Sequence, residues 1–102
     1  MTASYALEKI SDDALGIKGS LSFANAEAVL QDLYRMLASM PVSRVDLSQL
    51  AQVDSAGLAC LLALLARADK QGHRITLENA PENLVALAQV SDLTSLLGLK
   101  PQ

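Results

Sequence analysis

The sequence predicts an α/β domain with a mixed β-sheet, on three observations. Near the start, Tyr5, Leu7 and Lys9 alternate with Ala6, Glu8 and Ile10, and after Ser11-Asp12-Asp13 the chain resumes with Leu15, Ile17 and Gly19. Two short alternating runs around a polar turn read as an antiparallel hairpin. Residues 44–67, RVDLSQLAQVDSAGLACLLALLAR, then change apolar period from two to about 3.6, which reads as a strand, a polar turn and a long helix. Finally, Gln71-Gly72 stops that helix and the strand HRITL follows, so strand, helix and strand form a crossover whose two strands run parallel.

Between the hairpin and this unit, Phe23, Ala26, Leu30, Leu33, Tyr34 and Leu37 follow helical spacing, with Ser20 and Ser22 as candidate caps and Met40-Pro41 as the stop. Gly16 and Gly19 weaken the second strand of the hairpin, although glycine inside a strand often marks a bulge or a close backbone approach. Beyond the crossover, Pro81 is expected at a first helical position, with Leu84, Leu87 and Ala88 turned to the core. The segment 93–99 reads either as a short helix or as an edge strand, with its apolar residues packed down in both cases.

Composition narrows the function classes. A chain of 102 residues has the size of one domain, and 51% hydrophobic against 19% charged residues excludes a disordered chain. The apolar surplus fits a protein with a permanent partner. A net charge of −3 without any basic cluster argues against nucleic acid. The N-terminal MTASYALEK lacks a basic start followed by an apolar core, so a cytoplasmic location is expected. The longest uncharged apolar run, residues 56–66, is about half the ~20 residues that span a bilayer.

Catalytic chemistry finds little support. The chain has one cysteine, Cys60, inside an apolar helix where it reads as a small buried hydrophobe, and one histidine, His73, beside the helix-stopping Gly72. A helical rise of 1.5 Å per residue separates them by roughly 20 Å, so they cannot act as a nucleophile and base. No glycine-rich phosphate loop or metal-ligand cluster is visible, and neither a cofactor nor a metal is expected.

The change of period falls at Asp54-Ser55-Ala56-Gly57. Asp54 is a good N-cap, and Ser55 then sits in the first helical turn with its hydroxyl near solvent, where unpaired N–H groups and the macrodipole tolerate a phosphoryl group. On a helical wheel, Leu58, Leu61, Leu62 and Leu65 form the sheet-facing stripe, and Ala56, Ala59, Ala63, Arg67 and Lys70 the opposite face. That face is short of charge over its first two turns. Alanine there is either simply a good helix former or a smooth surface on which a partner packs.

The whole segment VDLSQLAQVDSAGLACLLALLARA resembles the signature of STAS domains, the fold of anti-sigma-factor antagonists. The resemblance extends over nearly the full chain and implies one STAS domain over residues 1–102, with a mixed sheet of about four strands and helices mainly on one face. It makes Ser55 the candidate regulatory phosphoacceptor, with Asp54 as the cap beside it. It also favours the partner reading for Ser55, Ala56, Ala59, Ala63, Arg67 and Lys70, because such domains dock partners around this helix start. Antagonists commonly read DSSGLG here, whereas this chain has Ala56 and Ala59, which weakens a direct transfer of kinase-substrate behaviour.

Within the family, the run GLACLLALLARADKQGHRITLENA is most similar to the cytosolic STAS subunit of phospholipid-transporting ABC complexes. That implies a non-catalytic subunit that binds and regulates an ABC-transporter ATPase, in a complex with a permease at the inner membrane, in maintaining outer-membrane lipid asymmetry. The rival implication is a phospho-switched anti-sigma-factor antagonist. A third reading, small-ligand sensing at the sheet, stays open.

Overall fold

The computed structural model describes residues 4–99, in the order β1 (Tyr5–Lys9), β2 (Ala14–Leu21), α1 (Ala26–Ser39), β3 (Arg44–Asp46), β4 (Leu50–Val53), α2 (Ser55–Lys70), β5 (Thr76–Glu78), α3 (Glu82–Val90) and α4 (Thr94–Leu97). The hairpin forms as its alternation requires, β1 pairing antiparallel with β2 so that Tyr5 lies opposite Gly19 and Lys9 opposite Leu15. β2 then pairs parallel with β3 and β3 parallel with β5, so both crossovers, through α1 and through α2, join parallel strands.

The sheet has five strands where about four were expected, because the third is split. Ala14 to Gly16 of β2 pair with β3, and Gly19 to Leu21 of the same strand pair with β4. Asp46 causes the split: its carboxylate accepts hydrogen bonds from the Ser48 N–H at 3.3 Å and the Ser48 hydroxyl at 2.8 Å, and these local bonds replace the ladder. On the β2 side the register shifts between Gly19 and Ser20. Gly19 has φ +91°, and a Cβ there would stand 2.4 Å from the Ser4 carbonyl oxygen, so only glycine fits this bulge.

Cross-strand partners share a face, so the pairs Leu7–Ile17, Leu15–Val45 and Val45–Leu77 line up one apolar side of the sheet. The opposite side carries ions instead. Lys18 pairs with Glu8 at 2.9 Å, and Arg44 bridges Asp13 at 3.2 Å and Glu78 at 3.7 Å. Helices therefore cover one side, and Val29, Leu33, Leu61, Leu64, Leu84 and Ala88 meet the apolar row in one core.

Three local expectations need correction. Phe23 is not on the buried face of α1; it precedes the helix and is 87% exposed, while Val29, Leu33 and Leu37 face the core. Neither Ser20 nor Ser22 is the N-cap of α1: Asn25 holds that position, and its side chain ties down both serines' backbones. Pro81 is the N-cap of α3 rather than its first helical residue; Leu84 and Ala88 face the core as expected, with Val85 buried beside them and Leu87 packed against it. Within segment 93–99, Thr94–Leu97 form helix α4; Leu97 and, beyond the helix, Leu99 are buried, whereas Leu96 is 68% exposed.

Candidate functional site

At the start of α2 one carboxylate organises two segments. Asp54, the N-cap, accepts through Oδ1 from the N–H groups of Ala56 at 2.9 Å and Gly57 at 3.0 Å. Its second oxygen, Oδ2, accepts from the N–H of Phe23 at 3.0 Å, so the same side chain clamps the β2–α1 loop to the helix start. The Phe23 N–H, with those of Gly57 and Ala56, holds the Asp54 carboxyl below the ordinary carboxylate value. A carboxylate fixed this way stays charged at neutral pH and complements the helix dipole.

Gly57 fixes how closely the helix approaches the sheet. A Cβ on it would lie 2.2 Å from the Leu21 carbonyl oxygen at the end of β2. The Asp54 N–H donates to that same oxygen at 3.3 Å. The first turn of α2 thus rests directly on β2, and Ser55, its first residue, is left exposed at the rim.

The rest of α2 is rotated relative to the wheel drawn from its leucines. Gly57, Leu61, Leu64 and Ala68 form the deepest stripe, flanked by Leu58 and Cys60. Two of these four are too small to register as core in a hydrophobicity pattern, yet small residues are what permits close helix-to-sheet contact. Leu62 and Leu65, expected in the core, are half-buried and border an open groove of about 730 Å³ with Leu96 and Leu97 of α4.

The rotation divides the expected partner face. Ala56, Ala63 and Arg67 share a stripe that turns toward α1: the Arg67 guanidinium lies 3.9 Å from the centroid of the Tyr34 ring, and both alanines are half-buried. Ala59 and Lys70 remain exposed, as does Ala66 between them, which the wheel did not single out. The surface beside Ser55 is therefore built from Ser55, Ala59, Ala66 and Lys70, with Arg67 at its edge held against α1.

Two residues of this region escaped the sequence reading. Gly57 had a signal, a glycine in the first turn of a run of strong helix formers. Phe23 had none, since its place in an apolar series assigned it to the core. Cys60 is buried as expected, and burial pushes its thiol up to about 11, far from a nucleophile's range. His73 is exposed. Among the described residues no group of three or more His, Cys, Asp or Glu side chains is placed to hold a metal, and no helix is long and apolar enough to cross a membrane.

Fold and site together define an α/β domain that presents a capped helix start, clamped to a neighbouring loop, on its surface. The family described as "Mlab, STAS domain" matches residues 7–98. The intermembrane phospholipid transport system binding protein MlaB of Escherichia coli (strain K12) is 35% identical over 83 residues, covering 79% of this chain and 81% of that protein, and MlaB of Shigella flexneri matches equally. The chain belongs to the MlaB family of STAS domains.

Solved structures agree on the fold. The anti-sigma factor antagonist SpoIIAA in its unphosphorylated form superposes with a TM-score of 0.72 at 17% identity, covering 97% of this chain and 88% of that one. An anti-sigma factor antagonist from Mycobacterium paratuberculosis gives 0.70 at 18% identity, with 99% and 87% covered.

Proposed function

We propose that this chain is a non-catalytic accessory subunit of a phospholipid-transporting ABC system, and that it docks on the system's ATPase subunit through the start of α2 and regulates or stabilises it. The observation that carries the reading is the 35% identity to MlaB proteins, which spans most of both chains and includes the α2 unit. The exposed strip of Ser55, Ala59, Ala66 and Lys70 supports it: small side chains let a partner helix or loop approach closely, and Lys70 supplies a polar rim. In this role Ser55 is a contact residue and the candidate site of regulation by phosphorylation, and Asp54 keeps the helix start ordered for docking. The subunit would sit in the cytoplasm, at the inner membrane through its complex with the ATPase and permease.

A second reading is a phospho-switched anti-sigma-factor antagonist. It is favoured by the exposure of Ser55 on a helix start whose N–H groups and dipole accommodate a phosphoryl group. Affinity purification of the tagged chain from its own cells separates the two. The first reading expects an ABC ATPase and its permease in stoichiometric amounts; recovery of a small ATP-binding kinase in their place would overturn it in favour of the second.

A further inference from the structure

Beside the proposed docking strip stands the chain's one phenylalanine. Phe23 is 87% exposed, an unfavourable state for so large an apolar side chain in an isolated domain. Its backbone is nevertheless pinned from both sides. The Phe23 N–H donates to Asp54 Oδ2, while Asn25, itself 7% exposed, accepts from the Ser22 N–H at 3.0 Å and donates to the Ser20 carbonyl at 2.8 Å. The Ala26 N–H closes the turn on the Ser22 carbonyl at 2.7 Å. An aromatic ring on a backbone already ordered loses little entropy on contact and buries a large area, which is the profile of an interface anchor.

We propose that Phe23 is the anchor of the docking face, its ring entering an apolar pocket of the ATPase subunit next to the contacts made by Ser55 and Ala59. The inference rests on the functional reading above and adds a residue that contributes strongly to the binding and the apolar chemistry the partner must offer. The commitment to this occupant comes from continuity: one carboxylate holds both the Phe23 amide and the first turn of α2, so the loop that carries the exposed ring adjoins the helix start that Ser55 opens. The clamp also makes the anchor's position depend on Asp54.

The test titrates the ATPase subunit of the same organism's phospholipid-transport complex with the parent chain and with Phe23→Ala, Phe23→Leu and Val90→Ala. Val90 is the control, being equally exposed at 87% but placed at the far end of α3. Phe23→Ala is expected to weaken Kd by ~30-fold with an unchanged melting temperature, Phe23→Leu to recover most of the loss, and Val90→Ala to bind as the parent does. Parent-like binding by Phe23→Ala, or equal weakening by Val90→Ala, would overturn the anchor assignment alone. So would a parent that self-associates through Phe23 while its ATPase binding ignores the substitution. A parent chain that does not bind the ATPase would overturn the functional reading, and the anchor with it.

Discussion

Gly57→Ala sets two physical effects against each other, and the structure decides which wins. On helix propensity alone, alanine in place of glycine inside α2 stabilises by about 1 kcal/mol. The new methyl group, however, would stand 2.2 Å from the Leu21 carbonyl oxygen and 3.0 Å from both the Leu21 carbonyl carbon and Cγ. Carbon–oxygen contacts settle near 3.3–3.6 Å, so the first turn of α2 must retreat by roughly 1 Å. Retreat strains a well-packed contact, at about 1–3 kcal/mol, and stretches the Asp54 N–H bond to that same oxygen, already 3.3 Å long and worth about 0.5–1.5 kcal/mol. The net expectation is a loss of roughly 1–3 kcal/mol, hence a melting temperature at least ~4 °C lower for a domain of this size. Thermal melts followed by circular dichroism measure it directly. A melting temperature equal to or above the parent's would show that propensity prevails and that α2 does not rest on Leu21.

The remaining predictions concern the face of α2, the thiol and the acid limb of stability. Leu61→Ala should cost ~2–5 kcal/mol in a urea melt because Leu61 is fully buried, while Ala59→Arg should change stability by no more than ~0.5 kcal/mol; similar losses for both would contradict the assigned faces. Cys60, 3% exposed and with its thiol pushed up to about 11, should resist a thiol reagent at pH 8 in the folded protein and react at once in denaturant. Prompt reaction of the folded chain would place the thiol at the surface. The Asp13 carboxyl is lowered to about 2, first by the Ser43 hydroxyl at 2.6 Å, then by Arg44 and Ser11. Its folded value lies below its unfolded one, so its contribution is present above about pH 4 and is lost as the pH falls toward 2. Asp13→Asn should therefore flatten the pH dependence of melting in that window, and an unchanged slope would show that these bonds do not favour the charged form.

The parts of the fold that rest on periodicity were legible in the sequence. Alternation at Tyr5 to Lys9 and the change of period after Val53 located the hairpin and the long helix, and Asp54 caps α2 through the bonds its residue type suggests. Legibility failed where small or polar residues decide packing. Asp46 splits a strand through its own side chain, which a hydrophobicity pattern does not register. Gly57 and Ala68 occupy the deepest positions of α2 because they are small, so a wheel weighted by leucine was rotated toward Leu62 and Leu65. That rotation moved Ala56 and Ala63 from the open surface to the side facing α1, where Arg67 meets Tyr34. Phe23 was misassigned for the converse reason: its hydrophobicity placed it inside, whereas a backbone bond to a residue 31 positions away holds it at the surface.

Docking of an ATPase subunit at the start of α2, as proposed, is tested most directly by Ser55→Asp, because folding and binding respond differently. Ser55 is exposed in the first turn of α2, where the dipole favours a carboxylate by ~0.3–1 kcal/mol and the neighbouring Asp54 charge offsets part of that gain. The melting temperature should therefore stay near the parent's. Binding should weaken, since an unmatched carboxylate desolvated at an interface costs several kcal/mol. Titration of the ATPase subunit with the parent and with Ser55→Asp is expected to show a loss of at least ~10-fold in affinity at unchanged stability; equal affinity for the two would place the ATPase contact elsewhere and leave Ser55 an ordinary helix-start residue.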